Sequence, residues 1–284
     1  MKSVFNHSYM GSGASAESAA IVLLGCPLDV TSSFRGGTKF APESIRKASW
    51  TLETYSPYLK RDLEDVAFYD AGNLELHPAD LIYSLGLIER AVAEILGRGQ
   101  KILVFGGEHL VTYPIMKAVK KRFEQIQIVH FDAHCDLRDE YEGQKLSHAT
   151  VMKRIKQLGI SDRSGGPHGP EMFHIGIRSG TREEFEELLL VDSPASLKGR
   201  LDPGRPIYIS FDIDALDPSL VPGVTTPEPG GLMFNAVMEY FSVLMGMDIM
   251  GADVVELAPD YDPTFVSSVT ASKVAREMIM LLGG

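Results

Sequence analysis

The chain has 284 residues, 44% of them hydrophobic, and a formal net charge of −11 at pH 7. Such a chain can bury one large core, so we predict a single domain over residues 1–284 with a loosely attached N-terminal segment over residues 1–19. The acidic balance disfavours nucleic acid and anionic membranes as partners. Only Cys26 and Cys135 are present, and no stretch approaches the roughly 20 apolar residues of a membrane span, so we predict a cytoplasmic protein.

Short apolar runs alternate along the chain with segments of helical period. The runs predict seven strands at about residues 20–25, 65–70, 101–105, 127–132, 172–177, 207–213 and 252–257. The intervening segments predict helices that start near residues 42, 79, 109, 147, 181, 233 and 263. This alternation is typical of parallel strands joined by right-handed crossovers, so the expected fold class is α/β, a three-layer α/β/α sandwich with a mostly parallel sheet.

Two predicted strands end in potential metal ligands at alternate positions. One end carries three and the other carries two, and these residues are Asp132, His134, Asp136, Asp212 and Asp214. Alternate side chains of extended backbone share one face, so we expect each group to point in one direction. A third strand ends in Gly106-Gly107-Glu108-His109. Because sites in open parallel sheets form at the carboxyl ends of strands, His109 is expected to join the other five.

This set of four carboxylates and two imidazoles predicts a binuclear metal site. Oxygen-rich ligands suit manganese or magnesium better than zinc. Four crowded carboxylates repel one another unless about two dications balance them. A water shared by two ions has a lowered pKa, and the resulting hydroxide is a nucleophile for hydrolysis.

Each motif also has a simpler interpretation. Asp-x-Asp before a turn is usually turn chemistry, and a histidine after Gly-Gly can cap a helix. Their coincidence at one edge of the sheet favours the metal site. Two strand histidines, His130 and His174, are predicted to be hydrogen-bonded core residues. Cys135 is expected to face away from the ligands and to serve packing.

Three blocks resemble signatures of the ureohydrolase family, which includes arginases and agmatinases. They are Gly106–His109, Phe131–Asp136, and Ser210–Pro218 followed by Pro222–Gly231. The resemblance runs from about Gly25 to the C-terminus. It implies an arginase-like fold, two Mn²⁺ ions per chain, hydrolysis of a guanidinium group to urea and an amine, and a homo-oligomer, either a trimer or a hexamer.

The resemblance also implies individual roles. One manganese ion would be held by His109, Asp132, Asp136 and Asp212, and the other by Asp132, His134, Asp212 and Asp214. Asp136 would in addition pass a proton from the bridging hydroxide to the departing amine. Glu256, at the end of the last predicted strand, would hold the guanidinium through two parallel hydrogen bonds, and its alternative is a salt-bridged surface glutamate. His148 would shuttle protons, and its alternative is an exposed first-turn residue behind an N-cap at Ser147.

The expected substrate is a small cationic guanidine. The loop at residues 137–142 is acidic, so it would repel a carboxylate and attract an amine. This favours agmatine, cleaved to putrescine and urea in polyamine biosynthesis. The segment at residues 177–184 also follows a strand end and is a candidate for the entrance of the site.

Other substrates and other classes of protein remain open. Arginine, guanidinobutyrate and aminopropylagmatine are alternative substrates. Arg138 would bind a carboxylate unless it pairs with a nearby acid, for which the candidates are Asp139, Glu140 and Glu142. A single-zinc deacetylase of the same fold and a non-catalytic guanidine-binding regulator are the alternatives from other classes.

Overall fold

A computed structural model describes residues 8–159 and 171–284 of the chain. Their main feature is one sheet whose strands pair in parallel. It contains β1 (Ile21–Cys26), β4 (Phe68–Asn73), β5 (Lys101–Gly106), β6 (Gln127–Phe131), β7 (Glu171–Ile175), β8 (Ile207–Asp212) and β9 (Ile249–Val255). A short antiparallel pair is formed by β2 (Tyr55–Ser56) and β3 (Arg61–Asp62). The spatial order in the main sheet is β4-β1-β5-β9-β8-β6-β7.

Helices cover both faces of this sheet. They are α1 (Ala41–Ser49), α2 (Leu81–Gly97), α3 (Thr112–Lys120), α4 (Val151–Lys156), α5 (Arg182–Glu187), α6 (Pro194–Arg200), α7 (Phe234–Leu244) and α8 (Val266–Leu282). Buried side chains of α1, α6, α7 and α8 pack in the core on one face, and those of α2, α3 and α4 pack on the other. The predicted three-layer α/β/α sandwich is confirmed. None of the helices described is long and apolar enough to cross a membrane.

The central strands are largely apolar because they are buried on both faces, and their polar residues, such as Ser210 and Asp253, are buried too. In β5, Leu103 and Phe105 belong to one core while Ile102 and Val104 belong to the other. Every residue of β8 is likewise buried. Such strands lose the alternation of polar and apolar residues, and this is why continuous apolar runs located them in the sequence.

The N-terminal segment was expected to be loosely attached over residues 1–19, of which residues 1–7 lie outside the described residues. In the described part, Tyr9 is fully buried and its hydroxyl donates to the carbonyl oxygen of Ser272 at 2.6 Å. Its ring lies 5.6 Å from that of Phe105, and the backbone N–H of Met10 is also bonded. An aromatic residue such as Tyr9 in a polar stretch rich in serine and glycine gives no periodic signal, so this anchor was not foreseen.

Candidate metal centre and substrate cleft

The carboxyl ends of four neighbouring strands, β5, β9, β8 and β6, bring the predicted site residues together. His109 follows β5, Glu256 follows β9, and Asp212 is the last residue of β8. All six candidate ligands are fully or largely buried: His109, Asp132, His134, Asp136, Asp212 and Asp214. The edge of the sheet predicted to carry the site is therefore the edge where these side chains meet.

The Asp-x-His-x-Asp block reaches this edge by a turn and not by strand alternation. Strand β6 ends at Phe131, and Asp136 has a φ of 53°, in the left-handed region that non-glycine residues rarely occupy. The backbone N–H of Met152 donates to the carbonyl oxygen of Asp136 at 3.0 Å. The turn still brings Oδ2 of Asp136 within 3.2 Å of Nδ1 of His109.

Three of the aspartates are oriented in the same way. In each, Oδ1 accepts a backbone N–H at 2.6–3.0 Å: Asp132 from His134, Asp212 from Asp214, and Asp214 from Ala133. Their Oδ2 atoms are thereby directed at the imidazoles. Oδ2 of Asp132 and Oδ2 of Asp212 lie 3.2 and 3.4 Å from Nδ1 of His109. Oδ2 of Asp214 lies 3.1 Å from Nδ1 of His134.

A buried hydrogen-bond network behind the site fixes the tautomer of His109. Asp253 is fully buried and accepts hydroxyl protons from Ser210, Thr112 and Tyr208 at 2.8–2.9 Å. Because Ser210 donates its only proton to Asp253, its oxygen accepts from Nε2 of His109 at 2.9 Å. Nδ1 of His109 is thus left with a lone pair that points into the site.

That lone pair is the test of whether a metal ion fits. Nδ1 of His109 is buried without a hydrogen-bond partner in the described part of the chain. Carboxylate oxygens of three residues surround it at 3.2–3.4 Å: Asp132, Asp136 and Asp212. A lone pair facing carboxylate oxygens is repulsive unless a cation lies between them. Asp132, His134 and Asp214 form a second group with suitable ligand atoms.

The pKa shifts show the same requirement for positive charge. Burial favours neutral His109, but its carboxylate neighbours outweigh burial and raise its pKa well above the usual range. His134 behaves alike through Asp132 and Asp214, with a pKa of about 12. Burial and the charges of Asp214 and Asp132 raise the pKa of Asp212 well above normal. Without metal, protons must therefore supply part of the charge that cations would bring.

Glu256 lies at the floor of the cleft next to the candidate metal centre. It is 4% exposed and has a φ of 66°. Its Oε1 accepts the backbone N–H of His109 at 2.6 Å, and its Oε2 accepts the hydroxyl of Thr225 at 2.7 Å. Burial raises its pKa to about 7 in spite of these bonds, and the charge of Asp214 adds to the shift. The alternative of a salt-bridged surface glutamate is wrong.

His148 also lines this cleft. It opens a short 3-10 turn with Ser147 as its N-cap, so the capping part of the alternative is present, yet the ring is half-buried and lines the cleft. The cleft has a volume of about 230 Å³, and its wall includes His134, Asp136, Asp212 and Glu256. Three candidate ligands therefore line one small polar cavity together with the residues predicted to accept the guanidinium and to shuttle protons.

Comparison with known proteins supports this picture. Residues 19–281 match the arginase family. The chain belongs to the arginase, or ureohydrolase, family. The agmatinase of Bacillus anthracis is 40% identical over 97% of this chain and 98% of its own. The guanidinobutyrase of Pseudomonas aeruginosa is 31% identical over 97% and 90%. The agmatine ureohydrolase structure of Thermoplasma volcanium has a TM-score of 0.84 at 31% identity, covering 98% of this chain and 95% of that one.

Membership confirms the resemblance and the arginase-like fold, and the family implies a binuclear metal site. This ureohydrolase also has supporting residues that sequence reasoning did not assign. Nε2 of His130 lies 2.9 Å from Oδ2 of Asp132, and its Nδ1 lies 2.9 Å from Nδ1 of His174. Both histidines are buried and bonded, as predicted. The missed contact was readable, because residues 130 and 132 lie two positions apart and so face the same side.

The outer part of the cleft corrects two expectations about this ureohydrolase. Arg138 was expected to pair with an acid of its own loop, but Nε lies 3.7 Å from Oε2 of Glu184, and the guanidinium stacks on Tyr141 at 5.0 Å. The loop acids that were expected to attract an amine are exposed and do not appear among the described residues of the cleft wall: Asp139, Glu140 and Glu142. The entrance expectation for residues 177–184 agrees with the cleft wall, which includes Ser179, Gly180 and Glu184.

Cys135 is buried as predicted, but it lies in the cleft wall with candidate ligands and does not face away from them. It is 1% exposed, and its sulfur lies 3.6 Å from the carbonyl oxygen of Ser179. Burial raises the pKa of the thiol to about 12. The side chain therefore stays a protonated thiol at the wall of the cleft and takes no part as a nucleophile.

Proposed function

We propose that this ureohydrolase is an agmatinase, which hydrolyses agmatine to putrescine and urea with two Mn²⁺ ions per chain. The observation that carries the proposal is the 40% identity to an agmatinase over 97% of the chain. It is supported by the convergence of every candidate ligand on one buried edge of the sheet.

The metal assignment follows the family resemblance, and the contacts of His109 and His134 with the surrounding aspartates support it. We assign one ion to His109, Asp132, Asp136 and Asp212, and the other to Asp132, His134, Asp212 and Asp214. Bound ions would supply Lewis-acid activation of a water molecule at neutral pH. The oxygen-rich donor set supports manganese over zinc.

The chain's own residues would bind the substrate and move the protons. The oxygens of Glu256 each accept one hydrogen bond already, but a carboxylate oxygen has two lone pairs, so both can also accept from a guanidinium. This holds the guanidinium carbon over the centre. Asp136 would take a proton from the attacking water and deliver it to the departing amine nitrogen. His148, which lines the same cleft, would exchange protons with solvent.

Guanidinobutyrate is the second candidate substrate, and a specific observation favours it. The guanidinium of Arg138 lines the cleft and is only loosely paired with Glu184. It is therefore placed to meet a carboxylate at the far end of a substrate. A relative at 31% identity is a guanidinobutyrase. Agmatine remains the first candidate because the agmatinase relative is more similar.

The test is urea release by the manganese-loaded protein from agmatine, arginine, guanidinobutyrate and aminopropylagmatine at equal concentrations. We expect kcat/KM for agmatine to exceed the others by at least about tenfold, which corresponds to roughly 1.4 kcal/mol. Faster hydrolysis of guanidinobutyrate would replace agmatine as the substrate. A protein that binds guanidines and two metal ions without releasing urea would be a regulator, and one zinc ion per chain would point to the deacetylase class.

Cytoplasmic location and assembly into a trimer or hexamer stay predictions. Sedimentation of the purified protein measures the second.

A further inference from the structure

Glu108, the residue before candidate ligand His109, is fully buried. Its carboxylate accepts three hydrogen bonds from the loop after β1. The backbone N–H groups of Val30 and Thr31 donate to Oε2 at 2.8 and 2.6 Å, and the hydroxyl of Thr31 donates to Oε1 at 3.0 Å. A buried carboxylate that uses both oxygens on one loop fixes that loop.

The backbone of the same segment also forms a hydrogen bond with this loop. The N–H of Glu108 donates to the carbonyl oxygen of Leu28 at 2.8 Å. A Cβ atom on Gly107 would lie 1.8 Å from that oxygen, so only glycine permits this close approach. Residues 28–31 are thus clamped against the end of β5, one residue from a candidate metal ligand.

The clamped loop, residues 28–31, also contacts His148. Oγ1 of Thr31 accepts the backbone N–H of His148 at 3.0 Å and lies 3.3 Å from its Nδ1. Because Thr31 donates its one hydroxyl proton to Glu108, its oxygen can only accept from Nδ1, so this contact is a hydrogen bond when Nδ1 carries the ring proton. Ser147 Oγ, also 3.3 Å from Nδ1, accepts the N–H of Ala149 and has a second lone pair for the same Nδ1 proton. Nε2 is then the nitrogen with a free lone pair.

We propose that Glu108 and Thr31 are positioning residues for His148, holding its ring so that Nδ1 keeps a proton and Nε2 exchanges one in the cleft. The inference rests on the proposed function, in which His148 relays protons, but not on which guanidine is the substrate. It gives the acidic residue of the Gly-Gly-Glu-His segment a role apart from metal binding.

The test compares four variants of the manganese-loaded protein, using whichever guanidine releases urea. Thr31→Val keeps the shape and removes the hydroxyl, Thr31→Ser restores it, and His148→Asn removes the ring. Thr38→Val is the matched control, because Thr38 is buried near the same loop and its hydroxyl donates to Leu28. Manganese content and thermal midpoint are measured for each.

We expect Thr31→Val to lower kcat by about 10- to 100-fold, part of the roughly 10²–10⁴-fold that a positioned acid or base supplies. KM and manganese content should not change, and free imidazole should raise kcat of this variant and of His148→Asn. Thr31→Ser should stay within about threefold of the parent, and Thr38→Val should match it. Combining Thr31→Val with His148→Asn should lower kcat no further than His148→Asn alone.

Other outcomes separate the inference from the proposed function. A low kcat in His148→Asn with a normal kcat in Thr31→Val would overturn the inference and leave the shuttle assignment in place. Normal kcat in both would overturn the assignment of His148 and the inference with it. Glu108→Gln is an additional variant of the clamp, and imidazole should raise its kcat as it does for Thr31→Val. If imidazole restores kcat in neither Thr31→Val nor Glu108→Gln, the clamp is purely structural and the inference is wrong.

Discussion

Asp214 is the residue on which the second group of ligand atoms depends. Its Oδ1 is held by the N–H of Ala133, and its Oδ2 faces His134. In Asp214→Asn the amide oxygen can keep the backbone bond while the negative charge is lost. We expect a folded protein that binds about one metal ion in place of two and releases no urea. Elemental analysis and a urea assay check this, and strong manganese-dependent activity would contradict the ligand assignment.

Glu256 leads to a different prediction because we assign it to the substrate and not to the metal centre. Glu256→Gln keeps an acceptor for His109 and loses the charge that attracts a guanidinium. Each hydrogen bond to a charged group contributes about 1.5–3 kcal/mol, so kcat/KM should fall by roughly 100-fold or more. The two metal ions should remain. Purification of this variant without manganese would show that the carboxylate belongs to the metal centre.

We expect Arg138 to influence whether the cleft favours a substrate with an ammonium or with a carboxylate at its far end. A cation there repels a distal ammonium and attracts a carboxylate, with an energy of about 1 kcal/mol in well-solvated surroundings. In Arg138→Gln the ratio of kcat/KM for agmatine to that for guanidinobutyrate should rise by roughly 30-fold, because the lost repulsion and the lost attraction add to about 2 kcal/mol. Arg182→Gln is the control, since Arg182 is exposed at the start of α5 and is not among the cleft residues. An unchanged ratio would mean that Arg138 does not contact the substrate tail.

The candidate ligands could be predicted from sequence because metal chemistry requires particular residue types at strand ends. Thr31 and Glu108 could not be assigned, because their roles depend on a loop that is distant in sequence and packed by tertiary structure. The prediction that the acidic loop at residues 137–142 would attract a substrate amine was weak for a related reason. Its composition was correctly described, but composition does not reveal which side chains line the cleft. Arg138 lies in the cleft wall with its side chain still 41% exposed, whereas its acidic neighbours are not among the described cleft residues.

At the level of elements, the central strands of the sheet were predictable because burial on both faces makes them largely apolar, whereas the edge strand β4 is only partly buried and contains Asp70 and Asn73. Helix starts were less accurate. Helices α3 and α4 begin at Thr112 and Val151, after 3-10 turns that contain His109 and His148. The pair β2–β3 and helix α6 were not predicted, since two-residue strands and a seven-residue helix are too short for a periodic signal.

The close approach of β5 to the loop after β1 predicts a strong effect from one methyl group. Gly107→Ala places a Cβ atom 1.8 Å from the carbonyl oxygen of Leu28, which is backbone and cannot rotate away. We expect a loss of about 3 kcal/mol or more of unfolding free energy. Gly97→Ala, at the end of α2 with open space around it, should change stability by less than about 1 kcal/mol. Urea denaturation measures both, and equal effects would show that the loop can move.

At the scale of the whole molecule, we propose that the chain folds as one domain. One sheet with a core on each face includes all the main strands, and Tyr9 ties the N-terminal segment to α8 through Ser272. The cluster of buried carboxylates is the unfavourable part of this arrangement.

Metal removal tests whether bound cations offset the repulsion among these buried carboxylates. Chelation should lower the thermal midpoint, and added Mn²⁺ should restore it, because an ion that binds only the folded state stabilises it by about 2.7 kcal/mol at 100 times its Kd. Asp214→Asn should gain less from the same addition. A thermal midpoint that does not respond to chelation in a metal-loaded sample would contradict the candidate metal centre.

The place of β9 in the sheet has a consequence for synthesis on the ribosome. This strand spans Ile249–Val255, yet it lies between β5 and β8 and is what joins β4-β1-β5 to β8-β6-β7. A nascent chain that has not yet emerged as far as β9 has two half-sheets with unpaired inner edges, which are surfaces prone to aggregation. His109 and Asp212 stand on opposite sides of that gap, so ion loading must wait until translation has passed β9.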